Sequence, residues 1–414
     1  MIRILIADDS AFMRKVLSDL FRAQPDFEVV GTATNGRDAV EKVERLSPDL
    51  LTLDVQMPEM DGLNALAVIM EKHPMPVVML SSLTQEGTEE TVRALSLGAV
   101  DFISKAGGAI SRIDTISDEI LAKCRAAAQA NVRGALAGTR AAERAEKERE
   151  AREQRERAEQ PVLRHVALPT RSGLKLTPRR TLARPAADKP KFGTFENPLL
   201  KPRKKEFVPH AEPTPEQVSV QAAPGGSKLV AIGTSTGGPQ ALQHVIPLLP
   251  GDLPCGVVVV QHMPPGFTHS LAERLDSLSK VSVKEAEDGE PILPGHVYIA
   301  PGDYHLRVAG SGSVRRIALG HDPKVGNHRP AVNVMYDSVA PIGRNLVAVI
   351  MTGMGCDGTE GMKKIKAAGG YAIAQDESTC VVYGMPKSVV DAGLADEVRP
   401  VTDIARAITA AVHR

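Results

Sequence analysis

Apolar positions along this chain gather in short, β-branched runs, and each run is followed by a stretch with apolar residues at helical spacing. In the first part the runs fall at residues 2–7, 50–53, 76–80 and 100–103, and the helical patterns at 11–22, 36–46, 63–72, 88–97 and 114–124. Short continuous apolar runs that alternate with helices predict strands buried on both faces of a parallel sheet. Alternation of strands with the five helical patterns therefore predicts one doubly wound α/β domain, five strands with five helices, over residues 1–124.

The same alternation returns over residues 228–414, where runs at 229–232, 257–260 and 346–350 predict a second, Rossmann-like parallel sheet. Between the two, residues 125–227 lose the pattern. From 140 to 159 acidic and basic residues interleave with almost no apolar face, and pairs such as Glu143 with Lys147 and Glu148 with Arg152 favour a solvated helix. Residues 161–205 then carry twelve Lys and Arg against Asp188 and Glu196, with many prolines, a composition that favours an extended chain. The expected organisation is two α/β domains and a long charged, Pro-rich linker, which serves as a spacer or as a basic docking segment.

Composition narrows the class. The chain has 414 residues and 43% hydrophobic content, enough for two cores. Fifty Lys and Arg balance fifty Asp and Glu, so no global field draws the protein to nucleic acid or to a membrane. The first residues turn acidic too soon for a signal peptide, and no apolar run approaches the roughly 20 residues of a membrane span. A cytoplasmic protein, not itself a membrane protein, is expected. Cys124, Cys255, Cys356 and Cys380 show neither a disulfide framework nor paired metal spacing, in keeping with a reducing compartment.

The chemistry concentrates where the runs end. Residues 229–232 lead into Gly233-Thr234-Ser235-Thr236-Gly237-Gly238, a glycine-rich turn that exposes a serine before a helix; 257–260 lead into Gln261-His262; 346–350 lead toward Cys356-Asp357. In an open parallel sheet the ligand crevice lies outside the carboxyl ends of the strands, so Ser235, His262 and Asp357 are positioned to converge as a nucleophile, its base and the acid that orients the base. The order serine, histidine, acid differs from that of the α/β-hydrolases, which disfavours that fold. A glycine turn can also cradle a nucleotide, although no lysine follows it as a P-loop would require. Cys356 is a lesser candidate nucleophile.

The first domain has its own cluster. Asp8 and Asp9 follow the first run and Asp54 the second, an all-oxygen set suited to a hard cation such as magnesium while a phosphoryl group reaches one carboxylate. Ser81 and Lys105, at the ends of the next two runs, are placed to bind phosphoryl oxygens.

Residues 1–124 resemble a response-regulator receiver domain, which is flavodoxin-like. The resemblance implies Asp54 as phosphoacceptor, Asp8 and Asp9 as Mg2+ acids beside it, Ser81 as switch hydroxyl and Lys105 as the phosphate-binding lysine; Ala106 departs from the proline usual after that lysine. Residues 230–238, 261–268, 298–303 and 351–358 are together similar to the catalytic domain of the chemotaxis protein-glutamate methylesterase family. That similarity implies Ser235, His262 and Asp357 as the triad, Thr236 and Met354 as neighbours of the serine with Met354 a backbone donor to the oxyanion, and no cofactor for the esterase chemistry. It further implies methylated chemoreceptors as the protein substrate, deamidation of receptor glutamines, a chemotaxis histidine kinase as phosphodonor, and a receiver that packs over the esterase face until phosphorylated. The linker is longer than the family's usual one. A receiver with a non-catalytic output that binds a partner or nucleotide is the alternative expectation.

Overall fold

The computed structural model describes residues 1–82, 84–105, 113–134, 144, 228–312 and 314–414. The readings made for residues 140–159 and 161–205, and Ala106, lie outside them, apart from Arg144.

The amino-terminal sheet is wholly parallel, ordered β2-β1-β3-β4-β5. Its strands are β1 (Ile2–Ala7), β2 (Phe27–Ala33), β3 (Leu50–Asp54), β4 (Val77–Ser82) and β5 (Asp101–Lys105). Five helices flank it: α1 (Ala11–Arg22), α2 (Gly36–Leu46), α3 (Gly62–Lys72), α4 (Gln85–Leu97) and α5 (Ile113–Ala128). Ser10, Asn35, Asp61 and Thr84 each accept from a backbone N–H of the first turn, which sets where α1 to α4 begin. Strand β2, whose position the apolar runs did not reveal, lies at the sheet edge and is only partly buried along most of its length.

The carboxyl-terminal sheet has seven parallel strands in the order β14-β13-β12-β6-β7-β9-β8. They are β6 (Leu229–Thr234), β7 (Gly256–Gln261), β8 (Ser282–Glu285), β9 (His296–Ile299), β12 (Leu346–Ile350), β13 (Tyr371–Gln375) and β14 (Glu397–Arg399). All residues of β6, β7 and β12 are buried, as expected for central strands covered on both faces. The helices are α6 (Gly238–Val245), α7 (Phe267–Leu278), α8 (Val332–Val339), α9 (Thr359–Ala367), α10 (Met385–Asp391) and α11 (Val401–Val412). An antiparallel ribbon of β10 (His305–Ser311) and β11 (Val314–Gly320), absent from the sequence expectation, is inserted between β9 and α8. Two doubly wound α/β domains are thus present, and one hydrophobic cluster runs across both. Among the described residues no helix is long and apolar enough to cross a membrane.

Candidate active site and receiver site

Strands β12, β6 and β7 are neighbours, and each delivers one polar side chain to the loops beyond its carboxyl end. Ser235 follows β6 on a turn whose Gly237 has φ 76°, the left-handed region that favours glycine. His262 follows β7, and Asp357 lies on the loop after β12. His262 Nδ1 is 3.1 Å from Ser235 Oγ, and its Nε2 is 2.8 Å from Asp357 Oδ2. The structure therefore brings the three together as one hydrogen-bonded line.

Asp357 is held from two sides. The N–H groups of Val332 and Asn333, at the start of α8, donate to its two oxygens at 2.7 and 3.0 Å. Burial pushes its carboxyl toward the neutral form, but the hydrogen bond and charge of His262 and these two amides outweigh burial and hold its pKa below the ordinary value. With the acid ionised, it accepts from Nε2–H, and Nδ1 is left to accept the serine proton. This use of the two nitrogens reverses the familiar triad, in which Nε2 faces the serine.

The serine turn is braced by its neighbours. Ser235 N–H donates to the Thr352 carbonyl at 3.0 Å, and Gln261 Nε2 donates to the Ser235 carbonyl at 3.0 Å. A Cβ on Gly353 would meet Ser235 Cβ at 2.9 Å, so only glycine lets the β12 loop come this close. Met354, the next residue, is half exposed, and Thr236 is buried beside the serine. Cys356 is exposed, whereas Cys124, Cys255 and Cys380 are buried; burial pushes the Cys124 and Cys255 thiols up to about 12.

In the other domain Asp8, Asp9 and Asp54 present carboxylate oxygens that all lie within 4.8 Å of one another. Lys105 Nζ is 2.9 Å from Asp8 Oδ2 and 2.7 Å from Asp54 Oδ2. Burial raises the Asp54 pKa; Lys105 opposes that rise, while Asp8 and Asp9 add to it. Crowded carboxylates and an all-oxygen donor set fit a divalent cation. Ser81 is turned toward α4: its hydroxyl donates to the Gly87 carbonyl at 2.9 Å, and Thr91 Oγ1 donates to it at 2.5 Å.

The two domains touch beside the serine. Gly237 N–H donates to the Val100 carbonyl at 3.2 Å, Thr236 Oγ1 to Asp101 Oδ2 at 3.1 Å, and Gln243 Nε2 to Ser96 Oγ at 2.5 Å. The rings of Phe102 and Phe267 lie 4.3 Å apart, and Thr88 and Ser270 share a hydrogen bond of 3.0 Å. The edge formed by α4 and β5 is therefore seated on the turn that carries Ser235.

Residues 230–408 match the family model described as CheB methylesterase, and residues 4–115 that of the response regulator receiver domain. A protein-glutamate methylesterase/protein-glutamine glutaminase of Symbiobacterium thermophilum is 46% identical over 413 residues, which are 99% of this chain and 97% of that one. This chain belongs to the CheB family. A relative of the same description from Thermotoga maritima is 42% identical over 401 residues, 96% of this chain and 95% of its own. The crystal structure of the Thermotoga maritima CheB methylesterase catalytic domain is 52% identical, covers 44% of this chain and 97% of that chain, and has a TM-score of 0.43.

Three residues of this CheB-family site had no role in the sequence reading. Gln261 is buried and also bonds the His262 carbonyl at 3.2 Å; a polar residue closing an apolar strand next to His262 was the available signal. Asn333 secures Asp357 through its backbone, which no side-chain pattern reveals. His328 sits in the loop after β11, and its ring lies face to face with that of His262.

Proposed function

We propose that this CheB-family chain is a chemotaxis response regulator that hydrolyses glutamyl methyl esters on chemoreceptors, with Ser235 as nucleophile, His262 as base and Asp357 as orienting acid. The observation that carries the reading is the hydrogen-bonded line from Ser235 Oγ through His262 to Asp357. His262 Nδ1 takes the serine proton as Oγ attacks the ester carbonyl, and the tetrahedral oxyanion forms near the backbone N–H groups of Thr236 and Met354. The same proton passes to the leaving methoxide, so methanol departs and a glutamyl-serine ester remains. Water then attacks with His262 again as base, freeing glutamate and the serine. Deamidation of a receptor glutamine follows the same steps with ammonia as leaving group.

Asp54 is the phosphoacceptor in this reading, with a histidine kinase as donor and a cytoplasmic setting. Asp8, Asp9 and Asp54 would hold magnesium, which when bound supplies positive charge against the incoming phosphoryl group. Lys105 neutralises the acceptor carboxylate in the resting state and meets phosphoryl oxygens afterward. Ser81 leaves its α4 partners for the phosphoryl group, which loosens the edge seated on the Ser235 turn and shifts the population toward an open site.

The test is methanol release from methylated receptor, with and without a small phosphodonor. Ser235→Ala and His262→Ala should each lower the rate by roughly 10⁴-fold or more, and the double variant should be no slower than either, because residues acting as one unit do not add. An undiminished rate in Ser235→Ala overturns the assignment.

A further inference from the structure

The ring of His328 lies on the ring of His262 with centroids 3.8 Å apart and planes 9° from parallel. We propose that His328 is a positioning residue for the hydrolysis: its imidazole fixes the plane of His262, so that Nδ1 stays on Ser235 and Nε2 on Asp357, and it stabilises the imidazolium that forms when the serine proton is taken. The proposal rests on the reading of His262 as the base.

The geometry suits a neutral ring over a cation. Two neutral aromatic rings prefer offset or tilted pairing, whereas a cation is attracted to the face of a neutral ring. His328 is neutral across the working range: burial first, and then the positive charge of His262, bring its pKa down to about 4. The other charged groups near it are Asp357, which favours its protonation, and Lys123 of α5 and Lys324 of its own loop, which oppose it.

The loop that carries His328 is built to hold the ring still. His328 and Val325 exchange backbone hydrogen bonds of 3.0 Å each. Arg329 sends Nε and Nη2 to Asp303 Oδ1 at 3.0 and 2.6 Å, and Nη1 to the carbonyls of His321 and Asp322 at 3.1 and 2.8 Å. Asp303 N–H answers with a 3.0 Å bond to the Arg329 carbonyl, from a backbone at φ 66° that a non-glycine residue rarely adopts. Just beyond Arg329 in the chain, Val332 and Asn333 hold Asp357. One segment, 328–333, thus touches both His262 and the acid that orients it.

The experiment uses the full chain with methylated receptor and a phosphodonor, and compares His328→Ala and His328→Phe with wild type and Ser235→Ala. A stacked ring of this kind changes a rate by about three- to tenfold. His328→Ala should lower kcat by that factor with KM within about twofold, since substrate binding does not depend on the plane of His262. His328→Phe, which keeps a ring face, should restore kcat. An unchanged kcat in His328→Ala, with Ser235→Ala inactive, overturns this proposal alone; so does an equal loss in both variants accompanied by a lower melting temperature, which marks a purely structural role. Full activity in Ser235→Ala overturns the triad reading and takes this proposal with it.

Discussion

Thr236 donates its hydroxyl to the carboxylate of Asp101 at 3.1 Å, so the residue next to Ser235 is tied to the first position of the receiver's last strand. The neighbouring Gly237 N–H is tied to Val100. The receiver thus grips the turn that presents Ser235 as well as lying beside it. Ser96→Arg, where Gln243 now donates to a small hydroxyl, should separate the two surfaces. Methanol release without phosphodonor should rise roughly fivefold or more, and the stimulation by phosphodonor should shrink in proportion. Unchanged basal and stimulated rates would show that this contact does not restrain the enzyme.

Labelled phosphate from a small phosphodonor should appear on the chain only with a divalent cation and should vanish on chelation. Asp54→Asn should abolish labelling, and Lys105→Ala, which removes a cation 2.7 Å from Asp54, should slow it. Labelling of Asp54→Asn at the wild-type level would place the acceptor elsewhere.

The sequence made the central strands legible for a physical reason. Strands β6, β7 and β12 are buried on both faces and read as continuous apolar runs, and they lie side by side in the sheet as β12-β6-β7, so the loops after them bring Asp357, Ser235 and His262 to one edge. Strands β2, β8 and β14 are edge or near-edge elements with exposed or half-exposed positions, and runs such as Ser282–Glu285 carry no such signal. His328 was beyond reach because its loop has neither helical nor strand periodicity and it follows no apolar run, unlike Asp357. The seating of α4 and β5 on the serine turn depends on how two surfaces fit, which no pattern within either domain encodes.

Asp357 also links the site to stability. Its pKa is held below the ordinary carboxylate value, so the folded state gains from its ionised form at pH above about 3.9 and loses that gain as pH falls through the depressed value. The difference in urea midpoint between wild type and Asp357→Asn should therefore be constant from roughly pH 5 upward and narrow as pH drops through the carboxylate range. A difference that stays the same down to the most acid pH at which the fold survives would contradict the link.

Cys356, one residue before the acid and exposed, should be dispensable. Cys356→Ser should retain methanol release within about twofold, as expected for a surface side chain outside the proton path. A loss as deep as that of Ser235→Ala would reopen the question of which residue is acylated.

The reversed use of the His262 ring has a consequence for reach. Nδ1 lies one bond closer to the backbone than Nε2, so a histidine that offers Nδ1 to its serine can stand on the very next strand, and the longer arm extends to the acid on the far side of that serine's strand. The resting proton then resides on Nε2, and nitrogen-15 spectra of the imidazole should display the tautomer opposite to that of a trypsin-like protease. A reagent delivered through the substrate cleft would alkylate Nδ1, so the position of the label on the ring would report which way round this enzyme holds His262.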